Sequence, residues 1–289
     1  MENWLLAGAT KFFIYWQSVT QDVTNIFLYY KENGVDIELV AWPQLNDENA
    51  DFAMYNSGQV VSINDCLHRA RSHAEFAATV DLNELVVLSS STPLVAILNG
   101  TQLNSAGRSI TRAHAHFENN YIYASDPMLL SFDWLNETHF ANVSSAQPKL
   151  ILRPENVQRS SVHWINELEP LITTFTGIPH TEATLIHLRS MQEKMDKNIF
   201  VTNNILQETA KRMTDSWIRR LHASEKDVQK LRITRGNMEI AQLMEECLLD
   251  LKKKVHSMCF TASHCIHELS RNSSVLIDWQ YPEKRWLEL

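Results

Sequence analysis

An α/β fold with a helical C-terminal region is what this chain predicts, and three features of its patterning predict it. Short aromatic and β-branched runs alternate with helical periodicity over the first 90 residues. Beyond about residue 200 the apolar spacing becomes that of long amphipathic helices. The composition, 44% hydrophobic and 21% charged over 289 residues, is that of a chain able to bury a sizeable core.

The elements follow in order. Lys11 to Trp16, KFFIYW, reads as a strand. Val23 to Lys31 places Val23, Ile26, Phe27 and Tyr30 at helical spacing and is closed by Asn33-Gly34. Ile37 to Trp42 is a second strand stopped by Pro43, which completes a βαβ unit. Ser62 or Asn64 is expected to cap a helix carrying Cys66, Leu67, Ala70, Ala74 and Ala77 on one stripe. That helix runs into AATVDLNELVVL, Ala77 to Leu88, a strand-like run cut by polar residues.

From Ser89 to Gln147 the chain reads as irregular, with strand candidates at Ala113 to Phe117 and Tyr121 to Tyr123. Lys149 to Leu152, ended by Pro154, and Ala183 to Leu188 are further strands. Leu206, Ala210, Met213, Trp217 and Leu221 form one amphipathic stripe, and Ile240, Met244, Cys247, Leu251, Val255 and Met258 form another. The expected organisation is therefore residues 1–200 as an α/β domain and 201–289 as a helical region packed on it.

Composition also narrows function. A formal charge of -8 provides no global basic field, so nucleic acid is not an expected partner. No apolar run is long enough to span a bilayer, and the start lacks the basic region of a signal peptide. Four cysteines, Cys66, Cys247, Cys259 and Cys265, allow three pairings, and sequence does not choose among them. Sequons at Asn99, Asn136, Asn142 and Asn272 suit a lumenal protein but are about as frequent as chance allows.

The chemistry concentrates at Asp81-Leu82-Asn83-Glu84. If the strand continued through it, Asp81 and Asn83 would share one face and Glu84 the other. Two oxygen donors at a strand end of an open α/β sheet suit Mg²⁺ or Mn²⁺ bridging to a diphosphate; a polar turn is the plain structural alternative. Elsewhere, CFTASHCIH brings Cys259, His264, Cys265 and His267 together without a common zinc spacing. His114 and His116 share a strand face, and Arg69 and Arg71 precede the acidic run as solvated or phosphate-binding residues. Seven glycines form no phosphate-binding loop.

The run NDCLHRARSHAEFAATVDLNELVVL, Asn64 to Leu88, resembles glycosyltransferase family 92, whose members lead from Asn-Asp-Cys-Leu to Asp-Leu-Asp-Glu. GATKFFIYWQSV, the IELVAWP run, KLILRPENV from Lys149, VHWI from Val162 and LIHLRS from Leu185 look like successive blocks of that family. The resemblance implies a GT-A-like nucleotide-diphospho-sugar transferase fold, a Rossmann-like central sheet flanked by helices. It implies transfer of galactose from UDP-galactose to a glycan acceptor on a glycoprotein or glycolipid, with Mn²⁺ or another divalent metal. Carried over by position, Asp81, Asn83 and His187 would face the metal, and Asp81, Asn83 and Arg71 the donor. His163, in VHWI, is a further active-site candidate, and no general base is singled out among Asp126, Asp133 and Glu137.

Family members carry a membrane anchor and a first strand ahead of the block matched at the start of this chain, so Golgi or secretory-pathway membrane association is expected of the full-length architecture. Asn83 stands where the family has a second Asp, and Leu188 where it has Tyr. The alternative expectation is a catalytically impaired member acting as a glycan-binding or interaction protein.

Overall fold

The βαβ unit expected near the start forms as read. In the computed structural model, which describes residues 1–17, 19–42, 58–90, 92–100, 104–117, 130–141, 147–190, 200–202, 204–224, 231, 243, 246–247, 249–250, 265 and 279–280, helix α1 (Glu2–Leu6) precedes strand β1 (Lys11–Trp16). Strand β2 (Val19–Thr20) leads into helix α2 (Gln21–Glu32), where the Thr20 hydroxyl accepts from the Val23 N–H. Strand β3 (Asp36–Ala41) then pairs in parallel with β1, Lys11 opposite Asp36. Gly34, at φ +82°, makes the tight turn between α2 and β3.

Further along come helix α3 (Gln59–Ala70), β4 (Ala77–Ala78), β5 (Glu84–Leu88), helix α4 (Leu94–Asn99), β6 (Ser105–Ile110) and β7 (Arg112–Phe117). After a 3₁₀ turn at Asp133–Glu137 follow β8 (His139–Ala141), β9 (Lys149–Leu152), β10 (Val157–Ser160), β11 (Ile165–Leu168), β12 (Thr174–Gly177), β13 (Ala183–Ser190) and β14 (Phe200–Thr202). Helix α5 (Gln207–Ala223) and strand β15 (Trp279–Gln280) close the sequence of described elements. The result is a mixed α/β protein, in keeping with a GT-A-like fold.

The chain divides into two compact units. One contains Met1–Thr10 and Ile63–Glu225, the other Lys11–Ser62 and Lys226–Leu289. In the second, Phe27, Tyr29 and Tyr30 of α2 are buried, as are Ile37 and Val40 of β3. There too β15 pairs with β2, and Cys247 is bonded to Cys265 with their Cα atoms 5.7 Å apart. Of the expected stripe from Ile240 to Met258 only Cys247 is described, and it is helical; the rest of that stripe, the Tyr121–Tyr123 strand, Asp126, Cys259, His264 and His267 lie outside the described residues.

Among the described residues the first unit holds the two-stranded β10-β11 pair and two multistranded sheets. The larger has the order β14-β8-β7-β13-β5, and the smaller β12-β6-β9-β4. Strand β5 reads ELVVL without alternation because both of its faces are covered. Val86 packs with Leu94, Ile97, Ile110, Ile151 and Leu185, while Leu85 and Val87 pack with Leu135, Ile186, Leu206, Ala210 and Met213. Leu206, Ala210, Met213, Trp217 and Leu221, the stripe read from sequence, are all buried, and α5 belongs to this unit.

Three expectations are corrected. Helix α3 starts at Gln59, and neither Ser62 nor Asn64 caps it. The Ser62 hydroxyl donates back to the Gln59 carbonyl at 2.8 Å, and Asn64 spends its whole amide on Ser160, accepting from its N–H and donating to its carbonyl, both at 2.8 Å. The same helix ends at Ala70 instead of running on to Ala77, because Ser72 takes a left-handed conformation at φ 63°. The stretch read as irregular contains β6, whose Gly107 sits at φ +130° where a Cβ would lie 2.3 Å from the Ile151 carbonyl oxygen.

Strand β5 is the edge of its sheet, and a sheet edge needs partners for its free backbone groups. Asn3 of α1 supplies them: its amide donates to the Val86 carbonyl at 2.9 Å and accepts from the Val86 N–H at 2.8 Å. Trp4 adds an indole bond to the Glu84 carbonyl at 3.0 Å. Glu2, buried beside them, accepts from Ser216 at 2.6 Å and from Arg220 at 2.8 Å, both on α5. A short helix thus ties α5 to the edge strand. Asn3→Ala strips both bonds from Val86 and is expected to lower unfolding free energy by about 2 kcal/mol, read as a shifted urea midpoint at unchanged slope; an unmoved midpoint would mean that water serves the edge equally well.

Candidate active site

Two chain segments change sheets at one place. β4 pairs with β9 in the smaller sheet, and after a turn the chain enters β5 in the larger one. Likewise β6 pairs with β9, and after Thr111 the chain becomes β7, which pairs with β13. Asp81, Glu84, Arg112, Lys149 and His187 meet at this crossing.

Of the two geometries open for AATVDLNELVVL, a continued strand or a polar turn, the chain takes the turn. Leu82 and Asn83 form a turn, closed by the Glu84 N–H donating to the Asp81 carbonyl at 3.0 Å. Glu84 returns the contact, accepting from the Asp81 N–H through Oε2 at 2.8 Å. The turn removes the strict alternation that would put Asp81 and Glu84 on opposite faces, so both carboxylates converge.

Glu84 is the buried centre of the cluster, its side chain wholly inaccessible. Arg112 Nη1 lies 3.2 Å from Oε1, and Lys149 Nζ 3.2 Å from Oε2. Lys149 Nζ also reaches Asp81 Oδ2 at 3.1 Å, and its own side chain is only 2% exposed, whereas that of Asp81 is 36% exposed. A buried carboxylate of this kind requires such compensation, since an unpaired charge in the interior costs several kcal/mol.

Strand register delivers the imidazole. In the antiparallel pairing of β13 with β5, His187 stands directly opposite Glu84, so both side chains leave the same face. His187 Nδ1 is buried without a hydrogen-bond partner, 3.9 Å from Glu84 Oε1. Ligand atoms of Asp81, Glu84 and His187 all lie within 4.8 Å of one another. Two hard oxygens and an imidazole nitrogen with no partner of its own form a donor set that fits a divalent cation.

Electrostatics keep that imidazole neutral. Burial, then the Arg189 and Arg112 guanidinium groups, push His187 down to about 4 against the opposing pull of Asp81. Burial and the same two arginines also lower His114, whose ring lies 5.2 Å from that of His187. Burial lowers His163 as well, partly offset by its bond to the Pro148 carbonyl at 2.8 Å, immediately before Lys149.

The other residues singled out in the sequence fall as follows. Asn83, beside Asp81 in the turn, donates its side-chain amide to the Leu188 carbonyl at 2.8 Å, while the main-chain carbonyl of Asn83 accepts from the Leu188 N–H at 2.8 Å. Arg71 points its guanidinium at the loop after β9, donating to Pro154 and Val157 carbonyls and to Glu169 at 2.7 to 3.1 Å. Arg69 pairs with Asp65 one helical turn away on an exposed face. Asp133 accepts from the Ser131 hydroxyl on the surface. Sequence reasoning missed Lys149 and Arg112; the signal was a cation heading each of two strands, KLIL and RAHAHF.

A mixed α/β architecture with an acidic turn leading into an edge strand is consistent with the GT-A-like class of folds. The family model of glycosyltransferase family 92 matches residues 1–227, and the chain belongs to that family. A glycosyltransferase family 92 protein of Caenorhabditis elegans is 22% identical over 210 residues, a match covering 64% of this chain and 39% of that relative. The chain therefore spans about two-fifths of the length of the curated relative it matches.

The neutral His187 has a consequence for stability. In the unfolded chain it binds a proton near its usual pKa of about 6.5, and in the folded protein only at about 4. Between those values the unfolded state holds more protons, so stability falls as the pH drops through that window, by about 3 kcal/mol in all. Urea midpoints of the metal-free protein should decline more steeply from pH 6.5 to pH 4 than those of His187→Gln, whereas parallel curves would contradict a neutral buried imidazole.

Proposed function

We propose that this chain transfers galactose from UDP-galactose to a glycan acceptor on a glycoprotein or glycolipid, assisted by Mn²⁺ or another divalent cation. The observation that carries the reading is the convergence of Asp81, Glu84 and the partnerless Nδ1 of His187 at a sheet crossing, in a family 92 chain. A cation bound there supplies Lewis-acid stabilisation of the negative charge on the departing diphosphate. Asp81 is the carboxylate open to solvent, and His187 offers a neutral nitrogen, the form that binds metal. Asn83 contributes its amide oxygen from the same turn, while its Nδ2 bond to Leu188 holds the side chain in place. Arg112 and Lys149 set the position of the two carboxylates, Asp81 and Glu84.

In this reading the protein works in the secretory pathway, at the Golgi membrane, where such acceptors are presented. Among the described residues no helix is long and apolar enough to cross a membrane.

A second reading has its own supporting observation. The Asn83 amide donates to a main-chain carbonyl, a bond that the carboxylate of an Asp could not make. A chain that uses position 83 structurally would be a glycan-binding or interaction protein with weakened catalysis.

Calorimetric titration of UDP with and without Mn²⁺ separates the two. Metal-dependent binding that disappears in Asp81→Ala is expected of the transferase, and absence of any UDP binding would overturn it. In Asn83→Asp, tighter metal-dependent binding is expected if position 83 faces the metal. Loss of stability without a gain in affinity would instead make the Leu188 bond the whole role of residue 83.

A further inference from the structure

Lys149 is placed as few lysines are. Its ammonium lies between two carboxylates, 3.1 Å from Asp81 Oδ2 and 3.2 Å from Glu84 Oε2, and its side chain is 2% exposed. It opens β9, where Ile110 of β6 stands opposite it and the Thr79 N–H bonds to the carbonyl of its neighbour Leu150, so its backbone is held from both sides. With Arg112 against Glu84, two positive charges already balance the two negative ones.

We propose that Lys149 is a resident counter-cation that competes with a divalent metal for the Asp81–Glu84 pair, so that metal binding requires the ammonium to move aside. Three considerations support this. The ammonium bridges the same two carboxylates that, with His187, form the only group of three or more His, Cys, Asp or Glu among the described residues with ligand atoms close enough to hold a metal. Adding a divalent ion to a cluster that is already neutral creates an uncompensated buried charge, which the interior resists. Lysine also has the flexible stem and point-like charge that permit withdrawal, where the broad fork of an arginine would stay locked. Lys149 is on this view a positioning residue: it keeps the turn assembled before the cation arrives and sets how tightly one is held.

The inference rests on the proposed metal-facing role of the carboxylates, and the experiment keeps the two separable. Mn²⁺ alone is titrated into the full chain by calorimetry and by electron paramagnetic resonance, in wild type, Lys149→Met and Lys149→Arg. Lys149→Met should bind Mn²⁺ at least about tenfold more tightly than wild type, because one repelling charge is gone. Its melting temperature, lowered by the unpaired carboxylates, should rise with Mn²⁺ more than that of wild type. Lys149→Arg, which keeps the charge, should gain nothing. A lysine that is merely structural predicts a destabilised Lys149→Met with unchanged Mn²⁺ affinity, and that result would overturn the proposal.

Should Lys149→Met not fold with or without Mn²⁺, wild type decides. Competition is reciprocal, so millimolar Mn²⁺ must increase labelling of Lys149 by an amine-reactive ester, read by mass spectrometry. Unchanged labelling refutes it. Metal-dependent UDP binding in wild type with no lysine effect would leave the transferase reading standing and remove only the competition.

Discussion

A carboxylate sealed from water organises this site. Glu84 has no exposed side-chain surface, yet it heads an edge strand at the point where the chain leaves one sheet for another. Burying that charge is tolerable only because Arg112 and Lys149 come from two different strands to meet it, and because the Asp81 N–H donates to it as well. Each partner pulls an element into register: Arg112 the start of β7, Lys149 the start of β9, Asp81 the turn after β4. The main chain of Glu84 is held too, by the Trp4 indole on its carbonyl. Remove the compensation and the sheet crossing has no reason to stay closed.

The position of the site follows from that crossing. Asp81 is left partly open while Glu84 is not, so the cluster has an accessible carboxylate standing on a buried one. His187 arrives through strand register alone, opposite Glu84 on β13. Its neutral ring adds a donor without adding charge. A chain belonging to glycosyltransferase family 92 thus carries, at the acidic motif, an arrangement whose net charge is set by lysine and arginine as much as by the acids.

Much of the fold was legible because local pattern and tertiary role agree. KFFIYW, KLIL and ATLIHL are β-rich runs that end as strands, and the Leu206 to Leu221 stripe is buried along its whole length. The missed elements are those whose local signal is weak. SAGRSI contains a glycine at φ +130° that packs against β9, something only the partner strand reveals. Helix α1 is five residues long and owes its place to Asn3 and Glu2 bonding partners more than 80 residues away. At the acidic motif strict alternation would put Asp81 and Glu84 on opposite faces, and only the turn at Leu82-Asn83, the alternative that the residues left open, brings the two carboxylates together. Nor can periodicity show that Lys149, separated in sequence from Glu84 by β6, β7 and β8, returns to it.

The central claim is that Glu84 and Lys149 stabilise the site as a mutually dependent buried pair. A double-mutant cycle in unfolding free energy, using Glu84→Gln and Lys149→Met, measures that dependence directly. The account predicts single variants that each destabilise by about 3 kcal/mol or more and a double variant much less damaged than their sum, with a coupling of at least about 1.5 kcal/mol. Additive losses would contradict it.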